Sequence, residues 1–483
     1  MQNFREYRTD KPVLKEAAGG KYKLIVISDD SGKSFVFQTA RRLKEEAEKL
    51  GWKHYIFKLT GGYTTHKDGV LKFHNKDDEK GFKVSGKDTI AVIRGSVTRK
   101  DSWMDMISLL EKHSVCVINS RDTISMCADK YRTSLRLADY GIRQPKTHLI
   151  NDPKNSNQAF ENLDTKYPII LKTLRGSKGV GVLFVESARG LDSVVQLIHK
   201  QDEDADLLLQ EYIKTEWDAR VLVLGGKILG SMKRPVVEGD FRSNVSQGSE
   251  PEMLELTELE VEECLKAAKA VNGVWTGVDF IPSKNRETEP PWVIEVNSSP
   301  GTEGMEEASG KNISKEILEF FSDKDNWVKV PGMCGYREIV SIKPWGNLVA
   351  KFDTGNSGSS VIHADTMKVK GEKVTWTLKG KTITSDILGK KTIKVGGLRN
   401  YEETRILIKL NVDFLGTNYE TEFTLDDRGD KTPILFDRDF MTRAHVMVNP
   451  DRKYIVTTPY SSEIKEEVIP GLTPEETLEY RII

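Results

Sequence analysis

Two carboxylates and a carboxamide lie on neighbouring apolar segments. The first segment is Gly277-Val278-Asp279-Phe280-Ile281, and the second is Trp292-Val293-Ile294-Glu295-Val296-Asn297, followed by Ser298-Ser299-Pro300-Gly301. Side chains alternate along a strand, so Glu295 and Asn297 share one face, and Asp279 opposes them if the segments pair. Hard oxygen donors of this kind suit Mg2+, which keeps several waters and takes remaining ligands from phosphate. Burying two such carboxylates between apolar strands without a cation is costly. That cost favours metal binding over the other reading, a solvated polar face.

Two further groups bear on a phosphate ligand. The run Ile169-Ile170-Leu171-Lys172 delivers a lysine from a strand into Arg175-Gly176-Ser177-Lys178-Gly179-Val180-Gly181. Glycines let backbone N–H groups approach phosphate oxygens, and a lysine adds a point charge. Taken alone, the segment is also an ordinary glycine-rich turn. Next, Leu207–Leu209 lead into Gln210-Glu211-Tyr212-Ile213, with Asp218 and Arg220 close behind. Backbone groups there could face an adenine edge and a carboxylate a ribose; the alternative is a strand end with exposed charges. Ser31-Gly32-Lys33-Ser34 is a decoy, because a P-loop needs glycine where Ile27 stands.

The elements that must position these groups follow a βα alternation. Lys23 to Ser28 reads as a strand, Phe35 to Leu50 as a helix, and His54 to Leu59 and Thr89 to Arg94 as further strands, the pattern of an open parallel sheet. Asp68 to Lys87 reads as a surface loop or small hairpin. One helix is expected to contain Asp129 to Tyr140, stopped by Gly141 and Pro145. Thr257 and Glu260 have capping-box spacing ahead of Val261, Cys264, Leu265, Ala268 and Val271, so that helix is structural. Beyond Asp323 short β segments such as Thr392 to Val395, Arg405 to Val412 and Tyr419 to Leu425 imply a separate all-β domain.

At 483 residues the chain suggests three units, at roughly 150 residues per domain. Lys plus Arg is 72 against 73 Asp plus Glu, which gives no reason to propose nucleic acid or an anionic membrane as partner. Cys116, Cys127, Cys264 and Cys334 lack the close spacing of zinc or redox motifs. With no apolar run near the roughly 20 residues that span a bilayer, a reduced cytoplasmic location is expected.

Several motifs in order now carry a resemblance: Tyr167 to Val185, Gln210 to Arg220, Glu238 to Asn244 (EGDFRSN) and Val293 to Gly304 (VIEVNSSPGTEG). Asn119 to Ile313 resembles the ATP-grasp core of the RimK-type glutamate ligase family, and Lys21 to Val117 resembles the Rossmann-like domain that precedes it. The resemblance implies ATP and Mg2+ as cofactors, with Mn2+ able to substitute. It places Lys172, and more weakly Lys130, on ATP phosphates beside the loop of Gly176, Ser177, Gly179 and Gly181. Glu211, Tyr212 and Ile213 would form the adenine connection, Asp218 would meet the ribose, and Arg242 would act at the acyl-phosphate site. Asp279, Glu295 and Asn297 would hold magnesium with Asn244 nearby. Arg220 and Arg234 would pair with carboxylates of an acidic substrate or serve as structural ion-pair residues.

In the β region, Leu348-Val349-Ala350-Lys351-Phe352 ends in Asp353-Thr354-Gly355, a turn that aspartic peptidases use to hold one carboxylate against its twin. Tyr336 to Val456, with Ser360 to Ala364 and Pro433 to Phe440, resembles the retropepsin-like RimB-like family also called ATP-dependent zinc proteases. Only one Asp-Thr-Gly is present, so catalysis by Asp353 requires a two-fold dimer. Asp437 and Asn356 depart from the pattern, and His363 and His445 are isolated, which points to structural histidines in place of zinc ligands. The expected architecture is therefore α/β plus all-β: a leader (1–20), a Rossmann-like pre-ATP-grasp domain (21–118), an ATP-grasp domain (119–325) and a retropepsin-like β-barrel domain (326–483). The expected activity is an ATP- and Mg-dependent carboxylate–amine ligase that joins glutamate to a peptide or protein carboxylate. The β domain trims or recognises the product, or serves only for binding and dimerisation.

Overall fold

The computed structural model describes residues 22–28, 35–67, 70–76, 78–174, 181–203, 205–236, 251–327, 331–394, 402–415, 417–429 and 432–457. The chain divides into compact units Met1–Lys329 and Val330–Ile483.

The first unit opens with a parallel four-stranded sheet in the order Lys53–Lys58, Lys23–Ser28, Thr89–Arg94, Cys116–Ile118. Its central strands are covered on both faces, which is why they read as unbroken apolar runs. Leu24, Val26, Ile90 and Val92 pack toward Ala40, Leu43 and Ala47 of the helix Phe35–Lys49. Ile25, Ile27, Ala91 and Ile93 pack toward Ile107 and Leu110 of the helix Asp101–Lys112. Each such Leu, Ile or Val side chain contributes about 1.5–3 kcal/mol on burial. The stretch expected to be a loop or small hairpin belongs to a three-stranded antiparallel sheet, Tyr63–Lys67, Val70–His74 and Phe82–Val84. Leu71, Phe73 and Val84 are buried beneath its lysine-rich surface.

Two antiparallel sheets follow. The lysine sheet runs Val182–Val185, Ile169–Thr173, Leu207–Glu211, Thr147–Ile150, and the helices Ser156–Asn162 and Ala188–Gln201 pack on it. The carboxylate sheet runs Glu252–Met253, Lys227–Pro235, Trp217–Leu224, Trp275–Ile281, Trp292–Asn297. It is backed by the helix Glu258–Ala270, which starts in the expected capping box of Thr257 and Glu260. The helix expected over Asp129 to Tyr140 is present as Lys130–Asp139, with Asp129 and Tyr140 as its caps, and a separate helix, Arg121–Ala128, precedes it. Asp129 causes the break: its extended backbone ends the first helix, and its side chain accepts from the Arg132 N–H to cap the second.

The amino-terminal sheet is tied to the carboxylate sheet through Asn119. Fully buried Asn119 donates from Nδ2 to the carbonyls of Trp275 and Ser298, both at 2.7 Å, and its Oδ1 accepts from the N–H groups of Val274 and Trp275. Nearby, Arg94 Nη1 donates to the Pro300 carbonyl at 2.7 Å and the Gly95 N–H donates to Ser299 Oγ at 3.2 Å. The loop after Glu295 is thereby fixed from below.

The second unit is a curled seven-stranded sheet. Its order is Arg337–Ile342, Gly346–Phe352, Ile434–Phe436, Ser360–His363, Thr417–Asp426, Glu402–Phe414, Gly389–Lys394, and the Ser341–Asp413 pairing closes it into a barrel. The strands around 392–425 are longer than the short segments read from sequence. Phe352, Phe414, Phe423, Phe436 and Phe440 fill the interior, with Phe436 and Phe440 stacked at 3.6 Å between ring centroids. Buried Glu338 accepts from the N–H groups of Gly335, Ile455 and Thr457 and so holds the end of the described chain. Among the described residues no helix is long and apolar enough to cross a membrane.

Candidate active site

Lys172 lies near the end of the strand Ile169–Thr173, and its ammonium donates to Gln210 Oε1 at 2.6 Å. Gln210 Nε2 in turn donates to Thr147 Oγ1 at 2.8 Å, so three strands of the lysine sheet fix one amine. Burial pulls Lys172 down to about 8, against the attraction of Glu295, and the neighbouring Lys130 adds to the fall. Lys130 opens its helix and donates to the Leu174 carbonyl at 3.3 Å; burial lowers it too, opposed by Glu295 and Asp129. Two lysines from different elements and Glu295 from the other sheet therefore share one electrostatic neighbourhood. The Cys127 thiol, pushed up to about 12 by burial and then by Glu295, borders it as an inert group.

The glycine loop is entered at Gly181, whose φ of +82° and contact with Thr173 exclude any side chain. Gly176, Ser177 and Gly179 lie outside the described residues, as do Arg242 and Asn244. At the connection, the Glu211 N–H donates to the Lys146 carbonyl at 2.9 Å and Glu211 Oε2 accepts from the Lys146 N–H at 3.3 Å. Tyr212 meets Phe184 edge-on at 5.1 Å, and Ile213 beside it is half-buried. This gives an aromatic, partly apolar shelf with backbone polar groups, a surface that suits a purine.

The carboxylate sheet carries a charged row on one face. Register sets Arg234 opposite Asp218, Arg220 opposite Asp279, and Asp279 opposite Glu295, with Asn297 one alternation further along. Asp279 is 3% exposed. Arg220 grips it through Nε to Oδ1 at 2.8 Å and Nη2 to Oδ2 at 2.6 Å, and Arg234 Nη2 adds a contact to Oδ2 at 3.1 Å. Burial alone would raise Asp279; Arg220 and then Arg234 override it and hold the carboxyl well below its ordinary range. Arg234 Nε also donates to Asp218 Oδ1 at 2.6 Å.

This geometry corrects the burial argument made from sequence. Asp279 is indeed buried, but its counter-charges are two guanidiniums, and Glu295 is exposed. Asp218, expected at the ribose, lies in the same network on Arg234, and Arg220 and Arg234 take the ion-pair role that the sequence left open. Sequence reasoning missed Arg94, Asn119 and Ser299, whose work depends on docking between distant segments and has no local signature.

Comparison with known proteins bears on this arrangement. The RimK-like ATP-grasp domain model matches residues 127–321, and the model for the retropepsin-like aspartic endopeptidase RimB matches residues 333–459. A "Probable alpha-L-glutamate ligase" of Psychromonas ingrahamii is 38% identical over 205 residues, covering 42% of this chain and 66% of that one. A protein of the same name from Teredinibacter turnerae is 33% identical over 287 residues, covering 58% of this chain and 90% of that one. The chain belongs to the RimK-type ligase family. Among solved structures, D-alanine–D-alanine ligase from Bacillus anthracis complexed with ATP is similar at 18% identity, with a TM-score of 0.47 over 63% of this chain and 98% of that one.

As a RimK-type ATP-grasp ligase the protein uses ATP and Mg2+. The side chains present fit both. Among the described residues Glu295 makes no side-chain hydrogen bond, so its carboxylate is open, and Asn297 Oδ1 has one contact, from the Ser299 N–H at 2.9 Å. No three His, Cys, Asp or Glu side chains among the described residues form a ready cluster, so a metal held here would draw on the Asn297 amide and on phosphate oxygens as well as on carboxylate.

In the second unit Asp353 follows its strand, as the ligase's RimB-like match requires. Its N–H donates to the Phe436 carbonyl at 3.2 Å, and its Oδ1 accepts from the Gly355 N–H at 3.0 Å. Both departures from the peptidase pattern have structural work. Asp437 caps the helix Arg438–Ala444 by accepting from the Phe440 N–H at 3.0 Å and from the Ser360 hydroxyl at 3.0 Å. Asn356 binds its own loop through Ser359 and Gly358. His363 has both nitrogens engaged: Nδ1 accepts from the Arg428 N–H at 2.9 Å and Nε2 meets Asp365 Oδ1 at 2.9 Å. His445, with φ of +52°, ends the helix.

Proposed function

We propose that the ligase joins the amine of glutamate to a carboxylate of a peptide or protein acceptor through an acyl phosphate, and that its β unit trims the product. The observation that carries the ligase reading is that Lys172 of the lysine sheet and Lys130 of the helix Lys130–Asp139 both feel the open carboxylate of Glu295 from the carboxylate sheet. The glutamate assignment rests on what the curated relatives are named for.

In this reading Lys172 and Lys130 hold the triphosphate, and Tyr212 and Ile213 bound the adenine with Glu211. Glu295 and Asn297, with Asp279, hold magnesium, which when bound neutralises charge on the phosphate oxygens. Lys172, held in place by Gln210, supplies a preorganised positive charge where negative charge develops on the transferred group. Arg242 and Asn244 are assigned to the same site by resemblance. The acceptor carboxylate attacks the γ-phosphorus and expels ADP; the glutamate amine then attacks the acyl carbon, losing a proton and expelling phosphate.

Incubated with ATP, Mg2+, glutamate and a cell extract, the protein is expected to add glutamyl mass increments to specific acceptors, read by mass spectrometry. Glu295→Gln lowers the rate about a hundredfold by removing an open metal ligand. Increments that persist unchanged in this variant would remove the metal assignment, and increments of another amino acid would replace glutamate as donor.

For the β unit, Asp353→Asn is expected to abolish hydrolysis of glutamylated peptide, because a carboxamide cannot share the proton between paired carboxyls. The second reading, a binding or dimerisation module, is favoured by Asp437, which places a charged cap where the peptidase pattern has an apolar segment. Absence of hydrolysis in both parent and variant selects that reading.

A further inference from the structure

The buried charge network treats its two arginines unequally. Arg234 has a side chain 3% exposed and holds two carboxylates, Asp218 at 2.6 Å and Asp279 at 3.1 Å. Arg220 has a side chain 22% exposed, and among the described residues its guanidinium has one partner, Asp279. One of the two can leave without stranding a sealed charge, and it is Arg220.

The lone pairs point the same way. Asp279 Oδ2 accepts from both arginines, whereas Oδ1 accepts from Arg220 Nε alone. With Arg220 in place, the Asp279–Glu295 pair offers one open carboxylate, Glu295, whose neighbouring cations Lys172 and Lys130 come from outside this sheet. With Arg220 withdrawn, and Arg234 still balanced by Asp218, it offers two, Asp279 and Glu295. Two carboxylates match a divalent cation, and a guanidinium retained on Asp279 repels one.

Resting on the ligase reading above, we propose that Arg220 is a positioning residue that exchanges with the divalent cation on Asp279. In the metal-free protein its planar fork occupies the carboxylate and keeps the buried site neutral. Metal binding displaces the fork, and Arg220, the more exposed of the two arginines, is presented to an anionic oxygen of the phosphate or of the acidic substrate. A bidentate guanidinium suits either group. The same side chain thus keeps the empty site stable and reports to the substrate that the metal has arrived. Metal and Arg220 bind one carboxylate competitively, so each weakens the other's hold on it.

The test uses the full chain without nucleotide and reads Mn2+ binding by electron paramagnetic resonance. Arg220→Gln is expected to bind Mn2+ about tenfold or more tightly than the parent, since the competitor for Asp279 is gone. Glu295→Gln is expected to bind it more weakly. Arg234 remains to pair Asp279 in the first variant, and thermal melting verifies that it folds. A second measurement needs no variant: phenylglyoxal modification of Arg220, followed by peptide mass spectrometry, is expected to speed up severalfold when Mn2+ is added. Unchanged or weaker Mn2+ binding in Arg220→Gln, or unchanged labelling, with Glu295→Gln still impaired, overturns the exchange and leaves the ligase reading standing. Mn2+ binding unaffected by Glu295→Gln overturns the metal site itself, and the exchange with it.

Discussion

Lys172→Met is expected to lower kcat/KM for ATP about a thousandfold, because one preorganised charge at the transferred group is lost. The reason the effect should be so large is the setting: the ammonium is partly buried, fixed by Gln210 and flanked by a second lysine, so water cannot substitute for it. The parent carries its own internal control. Lys172 titrates near 8 in the folded protein, against an ordinary value of 10.5, so kcat/KM for ATP is expected to fall as pH rises through about 8. Lys172→Arg keeps its charge throughout and should lose that alkaline decline. Stability moves in the opposite direction over the same window. Between about 8 and 10.5 the unfolded chain holds a proton at this position that the folded chain has released, so this residue's contribution to stability rises with pH. A fall in activity there is not unfolding. An alkaline limb that survives in Lys172→Arg would assign it to another group.

Asp279→Ala is expected to cost about 3–5 kcal/mol of folding stability, measured as a lowered denaturant midpoint at unchanged slope. It strips the only partner among the described residues from Arg220 and leaves Arg234, 2% exposed, with one carboxylate for a sealed guanidinium. From the sequence alone, the same substitution is a clean probe of the metal, with loss of ADP release and the fold retained. The arginine network removes that simplicity. Glu295 is exposed and makes no side-chain hydrogen bond among the described residues, so Glu295→Gln should stay within about 0.5 kcal/mol of the parent and separate catalysis from folding. If Asp279→Ala melts with the parent, the buried network contributes less than its geometry implies.

These two residues show where reading a sequence succeeds and where it stops. The strand that carries Lys172, the capping box at Thr257 and the strands Lys23–Ser28 and Thr89–Arg94 were legible because their signals are local: an apolar run or a fixed spacing. In the three-stranded insertion, the hairpin of Val70–His74 and Phe82–Val84 is one of the two forms the sequence allowed, whereas the third strand, Tyr63–Lys67, lies outside the stretch so read. The counter-charges on Asp279 come from strands that pair only in the folded sheet, one of them 59 positions away, and no window of sequence contains them.

The Asn119 carboxamide commits its donors and its acceptor to positions 155 to 179 residues further along the chain. Chimaeras that swap the leading layer between relatives therefore inherit either a matched seam or a set of bare carbonyls and amides turned toward each other in the dark. Where the crossover falls, before or after this one position, decides which.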